Sequence, residues 1–262
     1  MSSPSLILEK CGAVAWLIHN RVSAMNAVNF DMIDLYSEYL REIEQNQDIR
    51  VVVVTGNGLA FCAGADLKEA LESQTSEPGN RDFLDAFKEE VFDRLRSLNK
   101  PVIAALNGLT MAGGLEIAMC ADIVTAAQDA KIADAHANYG VYPGGGGAAI
   151  LPRIVPQNVA NYLLLTGNSL SAEEMKTYGF VNEIFSSESL REETQKLAEV
   201  IAEKSPIALA RMKQVVRHSL DKSAQDALDQ EQVHLRRHQR SYDMQEGLRA
   251  FNEKRKPEFK GY

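Results

Sequence analysis

The sequence predicts an α/β fold that ends in a helical region. Apolar, strand-like runs alternate with segments of helical periodicity through the first half of the chain. From about residue 157 onward the strand-like runs become rare, and helical segments follow one another. With 262 residues, 45% of them hydrophobic, the chain is long enough to bury one large core.

The first half contains most of the predicted strands. AVAWLIHN at 13–20 and VVVVTG at 51–56 are predicted strands, and the second is apolar enough to be buried on both faces. Between them, FDMIDLYSEYLREIEQN at 30–46 carries apolar residues at helical spacing. A second helix, FLDAFKEEVFDRLRSL at 83–98, precedes the strand VIAAL at 102–106. Two further segments are predicted strands: DIVTAA at 122–127 and VNEIF at 181–185.

The last third is predicted to be helical. Four segments have helical periodicity: NVANYLLLTG, SAEEMKTYG, SLREETQKLAEVIAEK and SPIALARMKQVVRHSL. Ser171 and Glu174 have the spacing of a capping box, and Gly179 stands where that helix is expected to end. No repeat, low-complexity tract or linker divides the chain, which indicates one continuous unit.

Net charge limits the partners that the chain can bind. A formal charge of −8 argues against a duplex nucleic-acid binder, because such affinity depends on neutralising phosphates. The charge is uneven, since basic residues crowd the end of the chain: Arg236, Arg237, Arg240, Arg249, Lys254, Arg255, Lys256 and Lys260. These side chains form either a local anion site or a solvated helix face.

The N-terminal segment and the cysteines indicate a compartment. The chain has no basic segment followed by an apolar run of signal-peptide length, and no stretch of about 18 uncharged apolar residues. We therefore expect a cytoplasmic protein without a membrane partner, with the mitochondrial matrix as the alternative. Cys11, Cys62 and Cys120 lack the spacing of a disulfide framework or a zinc site, so we expect reduced core residues and no metal.

Two glycine-marked turns are candidates for chemistry. The fingerprints of phosphate loops, zinc proteases, serine hydrolases and dinucleotide-binding folds are absent. FCAGADLKEA at 61–70 and NGLTMAGGLEIAMCAD at 107–122 each place small residues just before a predicted helix. Exposed peptide N–H groups at such positions bind oxyanions. Glu116, in the first turn of the second helix, is either a partner of the helix dipole or a catalytic base.

Four blocks of the sequence, in this order and spacing, resemble the crotonase (enoyl-CoA hydratase/isomerase) superfamily. They are VVVVTGNGLAFCAGADLKE, KPVIAALNGLTMAGGLEIAMCADIVTA, YGVYPGGGGAAILPRIV and EGLRAFNEKRKPEF. The resemblance implies a crotonase-like spiral of ββα units over 1–195, which holds the active site, and a helical region over 196–262. It further implies a homotrimer, or a hexamer of two trimers, that acts on acyl-CoA thioesters as substrates without a further cofactor.

The same resemblance implies roles for individual residues. By position, the backbone N–H groups of Ala65 and Gly113 form an oxyanion hole for the thioester carbonyl. Phe251 and Lys254 match positions near the nucleotide end of CoA, and Lys254 would thereby give part of the basic tail a function. The remaining residues match segments that line the CoA and acyl channel: Ala24, Met25, Ala63, Asp66, Leu67, Lys68 and Gly144.

His136 departs from the pattern of the two-glutamate hydratases of this family. Glu116 matches their first carboxylate, but His136 stands at the position of the second. An imidazole has a reference pKa of about 6.5 and can donate a proton near neutral pH, so His136 is either a proton donor or a neutral pocket-lining residue. Asp134 either orients this imidazole from an extended segment or caps a turn.

The glycine run that follows His136 completes the candidate site. Gly144 to Gly147 predict a tight turn into the helix AAILPRI, where bare backbone approaches either the acyl group, a catalytic water or another part of the chain. Tyr139 and Tyr142 line the acyl pocket or pack in the core. The absence of an acid at Gly144 weakens an aryl-CoA dehalogenase interpretation.

These residues favour hydration of a 2-enoyl-CoA to a 3-hydroxyacyl-CoA, with Glu116 as the base. Three alternatives stay open at this point: an enoyl-CoA isomerase, a hydrolase that cleaves a C–C bond, and a CoA-binding scaffold without activity. The missing second glutamate is what suggests the scaffold.

Overall fold

The protein folds around two β-sheets. A computed structural model describes residues 3–74 and 81–262, so 75–80, inside the 67–95 region expected to shape the acyl pocket, lie outside the described residues. The larger sheet has the order β1-β2-β3-β5-β7-β10 and the smaller one the order β4-β6-β8-β9. The strands are β1 Leu6–Cys11, β2 Val14–His19, β3 Val51–Gly56, β4 Ala60–Cys62, β5 Val102–Leu106, β6 Leu109–Met111, β7 Ile123–Ala127, β8 Lys131–Ala133, β9 Leu170–Ser171 and β10 Glu183–Phe185.

Helices connect and cover these strands. The first eight are α1 Phe30–Gln45, α2 Leu67–Gln74, α3 Phe83–Phe87, α4 Arg94–Ser97, α5 Gly113–Ala118, α6 Leu151–Ile154, α7 Gln157–Thr166 and α8 Ala172–Thr177. The last four are α9 Leu190–Ala202, α10 Pro206–Ser219, α11 Ala224–His238 and α12 Tyr242–Glu253. A π-helical segment, Lys88–Asp93, joins α3 to α4, and short 3₁₀ helices cover Val22–Ala24 and His136–Tyr139.

The chain alternates between the two sheets in a regular way. After β3, β5 and β7 in the large sheet, the next strands, β4, β6 and β8, lie in the small sheet. Within each sheet these strands pair in parallel, so successive units point the same way. The segments that leave β4, β6 and β8 therefore meet at one edge of the small sheet. This arrangement is the spiral of ββα units that the sequence resemblance implied.

Most long predicted elements are confirmed, and most of the missed ones are short. A strand was predicted at the start of FCAGADLKEA, where β4 lies, but the short strands β6, β8 and β9 were not predicted, because two or three residues cannot display a period. The antiparallel edge strand β1 was also missed. The predicted helix AAILPRI is shorter than expected, since only Leu151–Ile154 is helical. The predicted capping box at Ser171 is present, with Gly179 at φ +87° after the helix.

The core lies between the sheets and under the helices that cover them. Trp16, Tyr36, Phe61 and Phe83 are among the largest side chains that are fully buried. Cys62 and Cys120 are buried as predicted, and burial raises the pKa of each thiol to about 12. The prediction was wrong for Cys11, which is exposed at the end of the edge strand β1. Among the described residues, no helix is long and apolar enough to span a membrane.

The helices α10 and α11 differ from the rest of the fold. Neither helix contains a buried residue, whereas α9 buries Leu190, Thr194, Ala198 and Ala202. The two helices contact each other and leave several large apolar side chains exposed: Met212, Val216, Leu220, Leu228, Val233 and Leu235. Exposed apolar side chains on paired helices are the kind of surface at which proteins contact other molecules.

Candidate active site

The two glycine-marked turns lie side by side. Gly64, at φ +109°, follows β4, and Gly113 begins α5 after β6. A Cβ atom built on Gly64 would lie 3.3 Å from the Gly113 nitrogen, and one built on Gly113 would lie 3.4 Å from the Gly64 Cα. Because there is no room for a side chain between them, the two backbones approach each other closely.

The N–H groups of Ala65 and Gly113 are available to a ligand. In the described part of the chain neither donates a hydrogen bond to the protein. The neighbouring N–H of Asp66 donates to Val28 O, and that of Ala112 donates to Ala133 O, so these two turns are otherwise well anchored. Ala112 has φ +48° and ψ −119°, a strained conformation for a residue with a Cβ, which orients the peptide that carries the Gly113 N–H.

Glu116 is a buried carboxylate held by backbone. The residue is 3% exposed, and its Oε1 accepts hydrogen bonds from the N–H groups of Gly145 at 2.6 Å and Gly147 at 3.1 Å. Burial raises the pKa of Glu116 above its ordinary value, although these hydrogen bonds and the nearby His136 oppose the change. A carboxyl group with a raised pKa and a fixed orientation is suited to proton transfer.

The glycine run is shaped to reach Glu116. A Cβ on Gly145 would lie 2.7 Å from Cζ of Phe92, and one on Gly147 would lie 2.5 Å from Oδ2 of Asp134. The sequence predicted a side-chain-free turn but left open what it approaches. Two of its amides bind the Glu116 carboxylate, whereas the space beside Gly144 is open, with no atom within 4 Å of an added Cβ.

His136 faces both Asp134 and Glu116. Its Nδ1 lies 2.9 Å from Asp134 Oδ1, and its Nε2 lies 3.9 Å from Glu116 Oε2. Burial alone would lower the pKa of His136, but the hydrogen bond to Asp134 and the charges of Asp134 and Glu116 together raise it. The two acidic neighbours therefore favour the protonated imidazole over the neutral one.

The segment that carries this pair is not extended as expected. Ala135 adopts a left-handed conformation at φ +58°, and a 3₁₀ helix begins at His136. The bend brings the Asp134 carboxylate to the imidazole, so of the two roles considered for Asp134 the orienting contact is the stronger one. Its contact with the His136 N–H, at 3.4 Å, is long for a cap.

The residues predicted to line the channel surround the two turns unevenly. Met25, at φ +50°, accepts a hydrogen bond from the N–H of Ala63, which ties the 22–25 turn to the loop after β4. Asp66 pairs with Arg21 at 3.0 Å and accepts from the N–H of Lys68, so its carboxylate anchors the loop. Leu67 is half exposed on α2 beside this loop. Ala24 lies in the same 22–25 turn, next to Met25.

Four other predicted residues are not anchored to the two turns. Tyr139 and Tyr142 are 76% and 82% exposed, so the alternative of core packing is wrong. Phe251 is 83% exposed on α12, and Lys254 follows that helix at φ +55°. The tail beyond them is anchored by Arg50, whose Nη2 donates to Phe259 O at 2.9 Å at the start of β3. The turns follow β4 and β6, and among the described residues no hydrogen bond links Phe251 or Lys254 to them.

Comparison with known proteins gives a consistent family. A family model described as enoyl-CoA hydratase/isomerase matches residues 9–262. The chain is 34% identical over 256 residues, 98% of each protein, to a 2,3-dehydroadipyl-CoA hydratase of Escherichia coli. It is also 34% identical over 249 residues, 95% of each protein, to a 1,2-epoxyphenylacetyl-CoA isomerase of the same organism. A solved enoyl-CoA hydratase from Bacillus anthracis superposes with a TM-score of 0.90 at 30% identity, covering 98% of this chain and 100% of that one.

Proposed function

Because the chain belongs to the enoyl-CoA hydratase/isomerase family, we propose that it adds water to a 2-enoyl-CoA and forms a 3-hydroxyacyl-CoA. The family is enzymatic, which removes the support for an inactive scaffold. The observation that carries the proposal is the buried Glu116 carboxylate, which lies beside a protonatable His136 next to the two free amides. Hydration needs one base and one acid at adjacent carbons, and this pair supplies both.

In the proposed mechanism the amides of Ala65 and Gly113 bind the thioester oxygen. Addition of water at the β-carbon moves negative charge onto that oxygen, and two N–H donors in a fixed position stabilise it. The loss of one such donor in other enzymes costs about 3 to 4 kcal/mol in the transition state, so this contribution should exceed that of most single side chains. The close approach of Gly64 and Gly113 supports this arrangement.

Glu116 and His136 divide the proton transfers. Oε1 of Glu116 is occupied by two backbone N–H groups, so Oε2 is the oxygen that takes a proton from water. The hydroxyl adds to the β-carbon, and Nε2 of the imidazolium gives its proton to the α-carbon. The atoms Oε2 and Nε2 are 3.9 Å apart, too far for a direct hydrogen bond but near enough for one intervening water to return the proton from Glu116 to His136.

Two substrates separate hydration from isomerisation. Loss of the conjugated absorbance of crotonyl-CoA, or of a bulkier 2-enoyl-CoA, reports hydration. Appearance of that absorbance from a 3-enoyl-CoA reports isomerisation of the double bond. Isomerisation without hydration would refute the proposal in favour of an enzyme in which Glu116 moves a proton between the α- and γ-carbons. If the protein shows neither activity, the proposal is wrong.

Glu116→Gln tests the base. We expect hydration to fall by roughly 10²-fold or more, the usual contribution of a general base, while CoA binding measured by calorimetry stays unchanged. Glu38→Gln, an exposed site on α1, makes the same chemical change away from the site and should keep full activity. If Glu116→Gln retains the full rate, Glu116 is not the base.

We further propose that the protein assembles as a homotrimer, or as a hexamer of two trimers. The exposed apolar residues of α10 and α11 support self-association. Phe251 and Lys254 make no hydrogen bond to the turns of their own chain among the described residues, and we propose that they reach the nucleotide end of a CoA bound to a second copy. The cytoplasmic location stays a prediction, with the mitochondrial matrix as its alternative.

A further inference from the structure

Asp134 is a buried carboxylate with an unusual set of partners. It follows β8 and is 1% exposed. Oδ1 contacts Nδ1 of His136 at 2.9 Å and, more weakly, its backbone N–H at 3.4 Å. Oδ2 is buried and has no hydrogen-bond partner among the described residues. A Cβ on Gly147 would lie 2.5 Å from Oδ2, so a residue without a side chain stands beside this oxygen.

The contact between Asp134 and His136 determines the tautomer of the imidazole. An ionised carboxylate only accepts hydrogen bonds, so Nδ1 at 2.9 Å must carry a hydrogen. Nε2 is then the nitrogen that gains and loses the proton. Nε2 is also the nitrogen that faces Glu116. Asp134 therefore directs the titrating atom toward the place where substrate carbons react in the proposed mechanism.

The burial of Asp134 also favours the charged imidazole. Burying a charged carboxylate costs free energy unless a positive charge lies nearby. Oδ2 of Asp134 receives no hydrogen bond from the described residues, so no donor there stabilises the negative charge. The charged groups that act on His136 are Asp134 from its own segment and Glu116 from α5. Both are acidic, so both favour the imidazolium over the neutral ring.

We propose that Asp134 is a positioning residue that fixes the Nδ1–H tautomer of His136 and keeps its ring charged, so that Nε2–H protonates the α-carbon. The role of the proton in catalysis depends on the proposed hydration, but the ion pair itself does not. Asp134 touches neither substrate nor reacting atoms and acts only through the imidazole. The Asp134–His136 pair thereby places a protonated imidazole where the two-glutamate hydratases have their second glutamic acid.

Titration of His136 by NMR tests the ion pair without any substrate. The five histidines are labelled, and the His136 signal is assigned by its absence in His136→Gln. We expect His136 in the unaltered protein to titrate above about 6.5, and Asp134→Asn to lower that midpoint by about 1 pH unit or more. Asp48→Asn, which removes an exposed carboxylate from the loop after α1, should leave the midpoint unchanged.

The rate of hydration against pH provides the second readout. Activity is lost as pH rises through the pKa of the acid, so Asp134→Asn should move the alkaline limb of kcat to lower pH by the same amount as the NMR midpoint. KM should change little, because Asp134 does not contact the substrate. In a His136→Gln background the second substitution, Asp134→Asn, should have no further effect on the pH profile.

The outcomes that overturn the proposal differ from those that overturn the proposed function. A His136 midpoint at or below about 6.5 in the unaltered protein disproves the ion pair, and this holds even if Asp134→Asn does not fold. An unchanged midpoint in folded Asp134→Asn disproves it as well. If the midpoint shifts as expected but no 2-enoyl-CoA is hydrated, the ion pair is confirmed and the proposed reaction is wrong.

Discussion

At the scale of single residues, two buried histidines show how neighbours decide protonation. His19 donates from Nδ1 to Phe61 O at 2.8 Å and contacts the Tyr36 hydroxyl at 2.6 Å, both neutral groups. Burial therefore prevails and lowers the pKa of His19 to about 4. His136 is also largely buried, but two carboxylates face it and its pKa rises. Burial by itself does not determine the charge of a histidine.

His19 should make the fold sensitive to mild acid. Its pKa falls from 6.5 in the unfolded chain to about 4 in the folded one, so its stabilising effect is complete above pH 6.5 and is lost as pH falls toward 4. The full effect is about 3 kcal/mol, because a pKa difference of one between the two states corresponds to about 1.4 kcal/mol. Urea denaturation of the parent protein and of His19→Gln between pH 7 and pH 4 measures it, since glutamine does not titrate there.

The test compares how the free energy of unfolding changes with pH in the parent protein and in His19→Gln. Other groups titrate over the same range in both, and their contributions cancel in the comparison. A free energy of unfolding that falls equally in both proteins would show that His19 is not the sensitive group.

The sequence predicted which residues form the candidate site better than it predicted which atoms they contact. Glu116 and His136 were both identified from their places in the family motifs, and they lie 3.9 Å apart in the fold. The role of Asp134 could not be decided, because an extended backbone was assumed around Ala135. A left-handed alanine leaves little trace in a sequence, since glycine or asparagine is the usual residue at such a position.

At the scale of elements, the glycine turn at 144–147 holds the carboxylate of Glu116, the proposed base. Gly145 and Gly147 donate to Glu116, and the Gly145 carbonyl oxygen accepts a hydrogen bond from Arg96. Phe92 packs against the place where a Gly145 side chain would stand. The π-helical segment that carries Phe92 thus helps to determine how close this turn comes to α5.

Gly145→Ala should disturb this turn, whereas Gly144→Ala should not affect folding. The added methyl on Gly145 would meet the Phe92 ring, and overpacking of this kind costs about 1 to 3 kcal/mol. An alanine at 144 has open space and should change the free energy of unfolding by less than about 0.5 kcal/mol. Urea denaturation of both variants makes the comparison, and the hydration rate of Gly145→Ala should fall as Glu116 loses its orientation. Equal stability of the two variants would contradict this role of the turn.

At the scale of the whole molecule, α10 and α11 leave large apolar side chains uncovered in a single chain. Hydrophobic periodicity predicted α10 correctly as a helix, but it could not show that the apolar face remains uncovered. Met212 and Val216 are 62% and 70% exposed on that face. Several exposed apolar residues on adjacent helices are costly for a monomer and favour association with further copies.

Val216→Asp should weaken the proposed assembly. A carboxylate buried against an apolar partner surface is strongly unfavourable, so sedimentation velocity should show a shift from trimers or hexamers to a smaller species. Val200→Asp is a matched control, because Val200 is 54% exposed on α9, a helix that already buries its other face against the sheet. If the unaltered protein sediments as a monomer, the assembly proposal is wrong.

The sequence by itself determined the family, the α/β class and the choice of Glu116 and His136 as candidate site residues, because these follow from local pattern and motif order. Only the tertiary structure decided what these side chains touch. The Gly145 and Gly147 amides are about thirty positions away from Glu116 along the chain, and they meet it because successive spiral units stack at one sheet edge. Proximity between distant segments depends on the packing of the whole fold, which no local pattern records.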